Sequence, residues 1–194
     1  MKITLQQVRR NFELLNGSAT GAVKAYSTVA CLLPGEELHA KVCDQRAPSF
    51  LPSVSLQLWR YSALCLSRVW DVNEKAISVM RLCRQVDQLP VLKKKAEFIA
   101  AKAQVEMLSE SDARIEELRD FRDQSLSHTD PREKFQAGEL DECYYELLRE
   151  TCAIMDALHE VALDKPGGLV IHLDPWVQDA TWDWKKMLSP FFEE

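Results

Sequence analysis

Apolar side chains recur every three to four positions along most of the chain, the spacing that lines one face of an α-helix. Leu5, Val8, Phe12 and Leu15 open the series, and Asn16-Gly17 predicts a stop after one short helix. A second helix is expected from about Ala19 to Leu33, where Pro34-Gly35 ends it, and Leu38 to Val42 predicts a further short helical piece. The two prolines of Arg46 to Pro52 predict a linker or turn. Ser53 to Val72 then spaces Leu56, Trp59, Ala63, Leu66 and Trp70 for a long buried helix, and Glu74 to Val86 forms the next. Pro90 suits the first turn of a third, Val91 to Met107.

Ser109 or Ser111 can cap a following helix, whose positive end suits Glu110, Asp112, Glu116 and Glu117. Thr129-Asp130-Pro131 ends that helix, because the residue before a proline avoids the helical region. The clearest amphipathic pattern runs from Leu140 to Leu163, with Cys143, Tyr144, Leu147, Leu148, Cys152, Met155, Leu158 and Ala162 on one wide face, and Pro166-Gly167-Gly168 closes it. Leu169 to Leu173 is a short apolar run with no second strand to pair with, so a sheet is not expected.

The fold class expected is therefore all-α. It comprises an N-terminal helical extension over 1–52, an antiparallel helical bundle over 53–165 and an aromatic C-terminal tail over 166–194. Trp176, Trp182, Trp184, Phe191 and Phe192 give the tail large areas to bury on the helices or on a second subunit; a partner-docking segment is the alternative.

Composition narrows the function classes. At 194 residues, 46% hydrophobic and 28% charged, the chain has the balance of one folded domain. A formal charge of −6 argues against coating nucleic acid through a broad basic surface, while leaving room for a locally basic cleft. Lys93-Lys94-Lys95 reads either as a solvated helix face or as an RNA-backbone contact. No apolar run approaches a membrane span, and Met1 to Arg10 lacks a stretch of signal-peptide length, so the expected location is cytoplasmic, with no membrane partner. The six cysteines form no Cys-x-x-Cys pair and have no histidine at zinc-ligand spacing, which points to reduced core thiols. His39, His159 and His172 sit without a partner pattern. No Ser-His-Asp order, glycine-rich phosphate loop or paired metal-ligand motif is present, so serine hydrolases, P-loop proteins and metalloenzymes are disfavoured, and no cofactor or metal is expected.

One stretch breaks the amphipathic rule. Arg119 to Asp130 reads Arg-Asp-Phe-Arg-Asp-Gln-Ser-Leu-Ser-His-Thr-Asp, and on a helix Leu118, Arg122 and Leu126 form one ridge, placing a guanidinium inside the apolar stripe. Such a charge is costly unless it is paired or given a ligand. In the bland reading, Arg122 snorkels to an acid of a neighbouring helix, such as Asp71 or Glu146, and His128 is a helix-end cap. In the functional reading, His128 lies near a helix C-terminus, which favours its imidazolium, and it can act as acid or base near neutral pH. Arg122 and His128 are about 9 Å apart in axial rise and about 120° apart in rotation. Either the last turn loosens at Ser127, or two copies of the helix meet across a two-fold axis.

Arg122, Asp123 and His128, with five residues between Arg and His, resemble the core motif of the HEPN superfamily (higher eukaryotes and prokaryotes nucleotide-binding domain). Upstream, Leu66-Ser-Arg-Val-Trp-Asp71 and Ala76-Ile-Ser-Val-Met-Arg-Leu-Cys83 resemble the helix pair that precedes the motif in its abortive-infection (AbiU-type) branch. The resemblance spans Ser53 to Leu163, with one departure: Ser127 stands where a small apolar residue is usual.

The resemblance implies a HEPN-like bundle, a homodimer with the motifs facing each other, and a metal-independent endoribonuclease active in phage defence or as the toxin of a toxin–antitoxin pair. RNA would be the substrate, its own 2′-hydroxyl the nucleophile. His128 would move the proton, Arg122 would grip the phosphate, Asp123 would orient an Arg or His, Gln124 would steady the ring or a phosphate oxygen, and Arg119 would contact the backbone. The alternative is a non-catalytic scaffold that binds a nucleotide or a partner protein such as a nucleotidyltransferase antitoxin.

Overall fold

The computed structural model describes residues 3–32, 50–73, 75–127 and 141–164, and all regular structure among them is helical. In chain order the elements are α1 (Leu5–Leu32), α2 (Phe50–Val69), α3 (Val79–Val86), a 3₁₀ turn (Leu92–Lys94), α4 (Ala96–Ser111), α5 (Ala113–Ser127) and α6 (Asp141–Leu163). None of these helices is long and apolar enough to cross a membrane. α1 lies along α2 and also touches α6; α4 packs on α6, and α5 on α2. Phe12, Leu15, Leu66, Trp70, Leu82, Phe98, Ile115, Leu147, Leu148 and Leu158 meet at the centre with almost no exposed surface. Each such side chain contributes about 1.5–3 kcal/mol of burial.

Several boundaries depart from the sequence expectation. α1 does not stop at Asn16-Gly17 but runs unbroken to Leu32. A glycine within a helix costs about 1 kcal/mol relative to alanine. Burial of Leu15, Ala19, Ala22 and Val23 on either side of Gly17 outweighs that cost. Gly21 allows α1 to approach α2 closely, since a Cβ there would lie 3.3 Å from Cys65 Sγ. The start is a capping box: the Gln7 N–H donates to Thr4 Oγ1 at 3.2 Å, while the Thr4 N–H donates to Gln7 Oε1 at 2.9 Å.

α2 begins at Phe50, ahead of the expected Ser53, with Pro52 in its first turn, where the missing N–H needs no partner. α3 starts only at Val79, capped by Ser78, rather than near Glu74. The preceding backbone is diverted into side-chain turns: the Asn73 N–H donates to Asp71 Oδ1 at 2.9 Å, and the Lys75 N–H donates to Asn73 Oδ1 at 3.0 Å. The single helix expected over Val91 to Met107 is instead a 3₁₀ turn, a break at Lys95 (ψ 135°) and then α4.

The cap between α4 and α5 is neither Ser109 nor Ser111. Both serines bond back into α4, to Glu106 O and Met107 O, and Asp112 caps α5 by accepting the Arg114 N–H at 3.0 Å. α6 keeps nearly its expected span and ends at Asp164, whose φ of 55° closes the helix. Cys65, Cys83 and Cys152 are buried free thiols, and burial pushes Cys83 and Cys152 up to about 12. Cys143, expected on the apolar face, is exposed. His159 is buried, edge-on to Phe12 at 5.5 Å. Leu38 to Val42, Leu169 to Leu173 and the aromatic tail lie outside the described residues.

Candidate functional site

The site is built where α2 ends. Trp70 is fully buried, and its indole Nε1 donates to Thr151 Oγ1 on α6 at 2.9 Å; the Thr151 hydroxyl in turn donates to Leu147 O at 2.7 Å. That anchor fixes the direction in which the chain leaves α2, and so where the next residue points. Asp71 Oδ2 lies 3.2 Å from Arg122 Nη1 on α5. Arg122 Nε donates to Asp123 Oδ1 at 2.8 Å. The hydrogen bond that Arg122 donates to Asp123 is the largest influence and Asp71 adds to it, and together they hold the guanidinium above its ordinary range against the opposing effect of burial.

At 100° per residue, Arg122 falls within the arc of α5 spanned by the buried Ile115, Leu118 and Phe121. The Arg122 and Asp71 side chains keep only 21% and 20% of their surface exposed. Of the two acids foreseen as partners, Asp71 is the one that reaches it. Glu146 lies instead 3.7 Å from Arg114. Arg119 sits one turn before Arg122, so the two Cβ atoms are about 5–6 Å apart. Its Nε and Nη2 are buried with no hydrogen-bond partner among the described residues. A buried donor left unpaired costs about 1–3 kcal/mol. The structure thus brings together Arg119, Arg122, Asp123 and Asp71. His128 and the side chain of Gln124 lie outside the described residues.

Sequence reasoning passed over Arg114, the most heavily bonded arginine described. It donates from Nε and Nη2 to Asp112, and from Nη2 to Glu150 Oε2 on α6 at 2.7 Å. The available signal was local: an Asp two residues before an Arg at a helix start, and two glutamates, Glu146 and Glu150, one turn apart. Hydrogen bonding to Arg114 holds the Asp112 carboxyl below its usual range. A depressed folded value means that stability is present above the unfolded value, about 3.9, and is lost as pH falls through the folded one. Asp112→Asn keeps the cap and removes the charge. It should lower the unfolding free energy by about 1–2 kcal/mol at pH 7 and flatten the loss of stability between about pH 5 and 2, as read by urea titrations at each pH.

A pocket opens between α2, α5 and α6 along the stretch of α5 from Arg114 to Phe121. Trp59, Phe121 and Tyr144 form its wall, Arg114 and Glu117 also line it, and about 330 Å³ is empty, including open solvent at the mouth. Within the wall, the Trp59 and Phe121 rings meet edge to face at 5.0 Å. Tyr144 Oη shares a hydrogen bond with Ser62 Oγ at 2.7 Å, and Ser62 donates to Ala22 O at 2.7 Å. Among the described residues, no group of three or more His, Cys, Asp or Glu side chains could hold a metal ion. Comparison with protein-family models, curated proteins and solved structures returns no match.

Proposed function

We propose that the chain is a metal-independent endoribonuclease of the HEPN type, working as a dimer with facing motif helices, in phage defence or as the toxin of a toxin–antitoxin pair. The observation that carries this reading is the pair of guanidiniums one turn apart on α5. Arg122 is aimed by Asp71 and Asp123, and Arg119 has two buried donors without a partner, in the helix that leads into His128. An RNA phosphate would supply an acceptor once the side chains that cover those atoms move aside.

In this reading, the 2′-oxygen of the RNA attacks the adjacent phosphorus as His128 removes its proton. The bond to the 5′-oxygen breaks and that oxygen is protonated, leaving a 2′,3′-cyclic phosphate and a 5′-hydroxyl end. The arginines stabilise charge that grows on the phosphoryl oxygens, and the protein contributes no nucleophile. Because two carboxylates already hold Arg122, it would bind the phosphate with its remaining N–H groups, oriented rather than freely swinging.

The test is incubation of the purified protein and its His128→Ala variant with total RNA and with transfer RNA in EDTA. Discrete fragments from the wild type alone, ending in cyclic phosphate, are expected. A folded protein that cuts neither substrate would sink this reading. It would leave the second one: a non-catalytic HEPN scaffold that binds a nucleotide or a partner protein such as a nucleotidyltransferase antitoxin. The recess lined by Trp59, Phe121 and Tyr144, with Arg114 and Glu117 at its edge, favours that alternative, since ligand sites are commonly apolar hollows with a few polar groups at the rim.

A further inference from the structure

α4 is apolar on two opposite sides. Phe98, Ala101, Val105 and Leu108 are buried on one of them. On the other, at 100° per residue, Ala96, Ile99, Ala100, Ala103 and Met107 fall within an arc of about 100°, and all five are exposed. Ile99 and Met107 keep 57% and 60% of their surface in contact with water. A helix that lay on the surface with nothing against it would carry polar residues along this line.

The stripe has a symmetry of its own. Ala103 stands at its middle, with Ile99 four residues before and Met107 four residues after. The exposed Lys93 and Lys94 precede it at one end, while the exposed Glu106 and Glu110 flank the other. A second copy laid antiparallel across Ala103 would set Ile99 against Met107 twice and bring the lysines of each copy to Glu110 of the other. A parallel copy would set like charges together. The central alanine lets the helices approach to the short end of the usual 8–10 Å separation.

We propose that the outer face of α4 is a self-association surface, on which two copies of this chain pair antiparallel about a two-fold axis at Ala103. No residue of α5 takes part, so the inference stands or falls independently of the ribonuclease reading. A helix of this length spans about 24 Å, and one helix pair buries less than the roughly 800 Å² per partner of a standard interface, which predicts a concentration-dependent dimer with a dissociation constant in the micromolar range.

Cross-linking and hydrodynamics test it together. In a Cys143→Ser background, Ala103→Cys should form a Cys-to-Cys link between copies under mild oxidation, located by mass spectrometry of the linked peptide. In sedimentation velocity, Ala103→Glu, which places two like charges at the axis on an exposed helical position, should halve the assembly mass with the helical circular dichroism unchanged. Lys93→Glu with Lys94→Glu, and Glu110→Lys alone, should each weaken association several-fold, and all three combined should restore it. Three results each overturn the proposal: a wild type that is monomeric up to about 100 μM because another part of the same chain covers α4; an Ala103→Glu assembly of unchanged mass; and absence of the link at position 103. An Ala103→Glu variant that loses the α4 contact but keeps the dimer of facing motif helices and still cuts RNA would separate the two readings.

Discussion

Trp70→Ala should lower the unfolding free energy by about 3–5 kcal/mol, the largest stability loss expected from one substitution in this chain. The indole has no exposed surface and sits where α2 meets α6, in the same core as Leu66, Leu147 and Leu148. Truncating a buried aromatic to alanine costs about 3–5 kcal/mol through lost transfer energy and the cavity left behind. Thr151 Oγ1 also loses the donor that reaches it at 2.9 Å. Domains of this size are stable by about 5–15 kcal/mol, so the loss takes most of the margin at the lower end of that range.

Trp70→Phe keeps much of the volume and removes only the hydrogen bond, with an expected cost of about 1–2 kcal/mol. Thermal and urea unfolding followed by circular dichroism would order the three proteins. A Trp70→Ala variant melting within about 2 °C of the wild type would refute the role given to this anchor. Because Asp71 is the next residue, Trp70→Phe should also reduce any activity that depends on the aim of Arg122 more than its stability loss alone would.

If the proposed ribonuclease reading holds, Arg122→Ala should lower RNA cleavage by about 10²–10³-fold, the range typical of removing one donor that stabilises transition-state charge. The bland reading makes a different prediction: Arg122 only ties α5 to the end of α2 through Asp71, and its loss lowers stability by about 1–3 kcal/mol without a specific effect on cleavage. Arg122→Lys separates the two readings. It keeps the charge beside Asp71 and Asp123 but loses the planar fork, so stability should be largely retained while cleavage stays low. Asp71→Asn, which keeps the shape of the partner and removes its charge, should lower kcat more than it raises KM if Asp71 aims Arg122. Cleavage at wild-type rate by Arg122→Ala would remove this residue from the proposed chemistry.

Much of the candidate site was readable before any coordinates. The helical period alone put Arg122 on the inward side of its helix, and the cost of a charge there required a partner, for which Asp71 was one of two acids named. Arg114 escaped the same reasoning, because its partners depend on how α5 and α6 sit side by side. Glu150 is 36 residues further along the chain, and no periodicity within either helix reports the register between them. The unpartnered donors of Arg119 and the aromatic pocket are likewise properties of three helices together, invisible in any one.

What the sequence by itself determined is the all-helical class, the near-complete span of α6 and, apart from the exposed Leu5 and Cys143, the inward faces of α1, α2, α5 and α6, since these follow from residues within a few turns of one another. Tertiary structure decided the rest. Asn16-Gly17 is a stop signal worth about 1 kcal/mol, and burial of Leu15, Ala19, Ala22 and Val23 overrides it. Ser109 and Ser111 are good caps, yet Asp112 takes the position because its carboxylate also bonds Arg114, which bridges to Glu150. Local preferences differ by about one kilocalorie per mole, while packing and charge-assisted bonds between distant segments are worth several, so segment type is legible locally but ends, junctions and ion-pair partners are settled only when the helices meet.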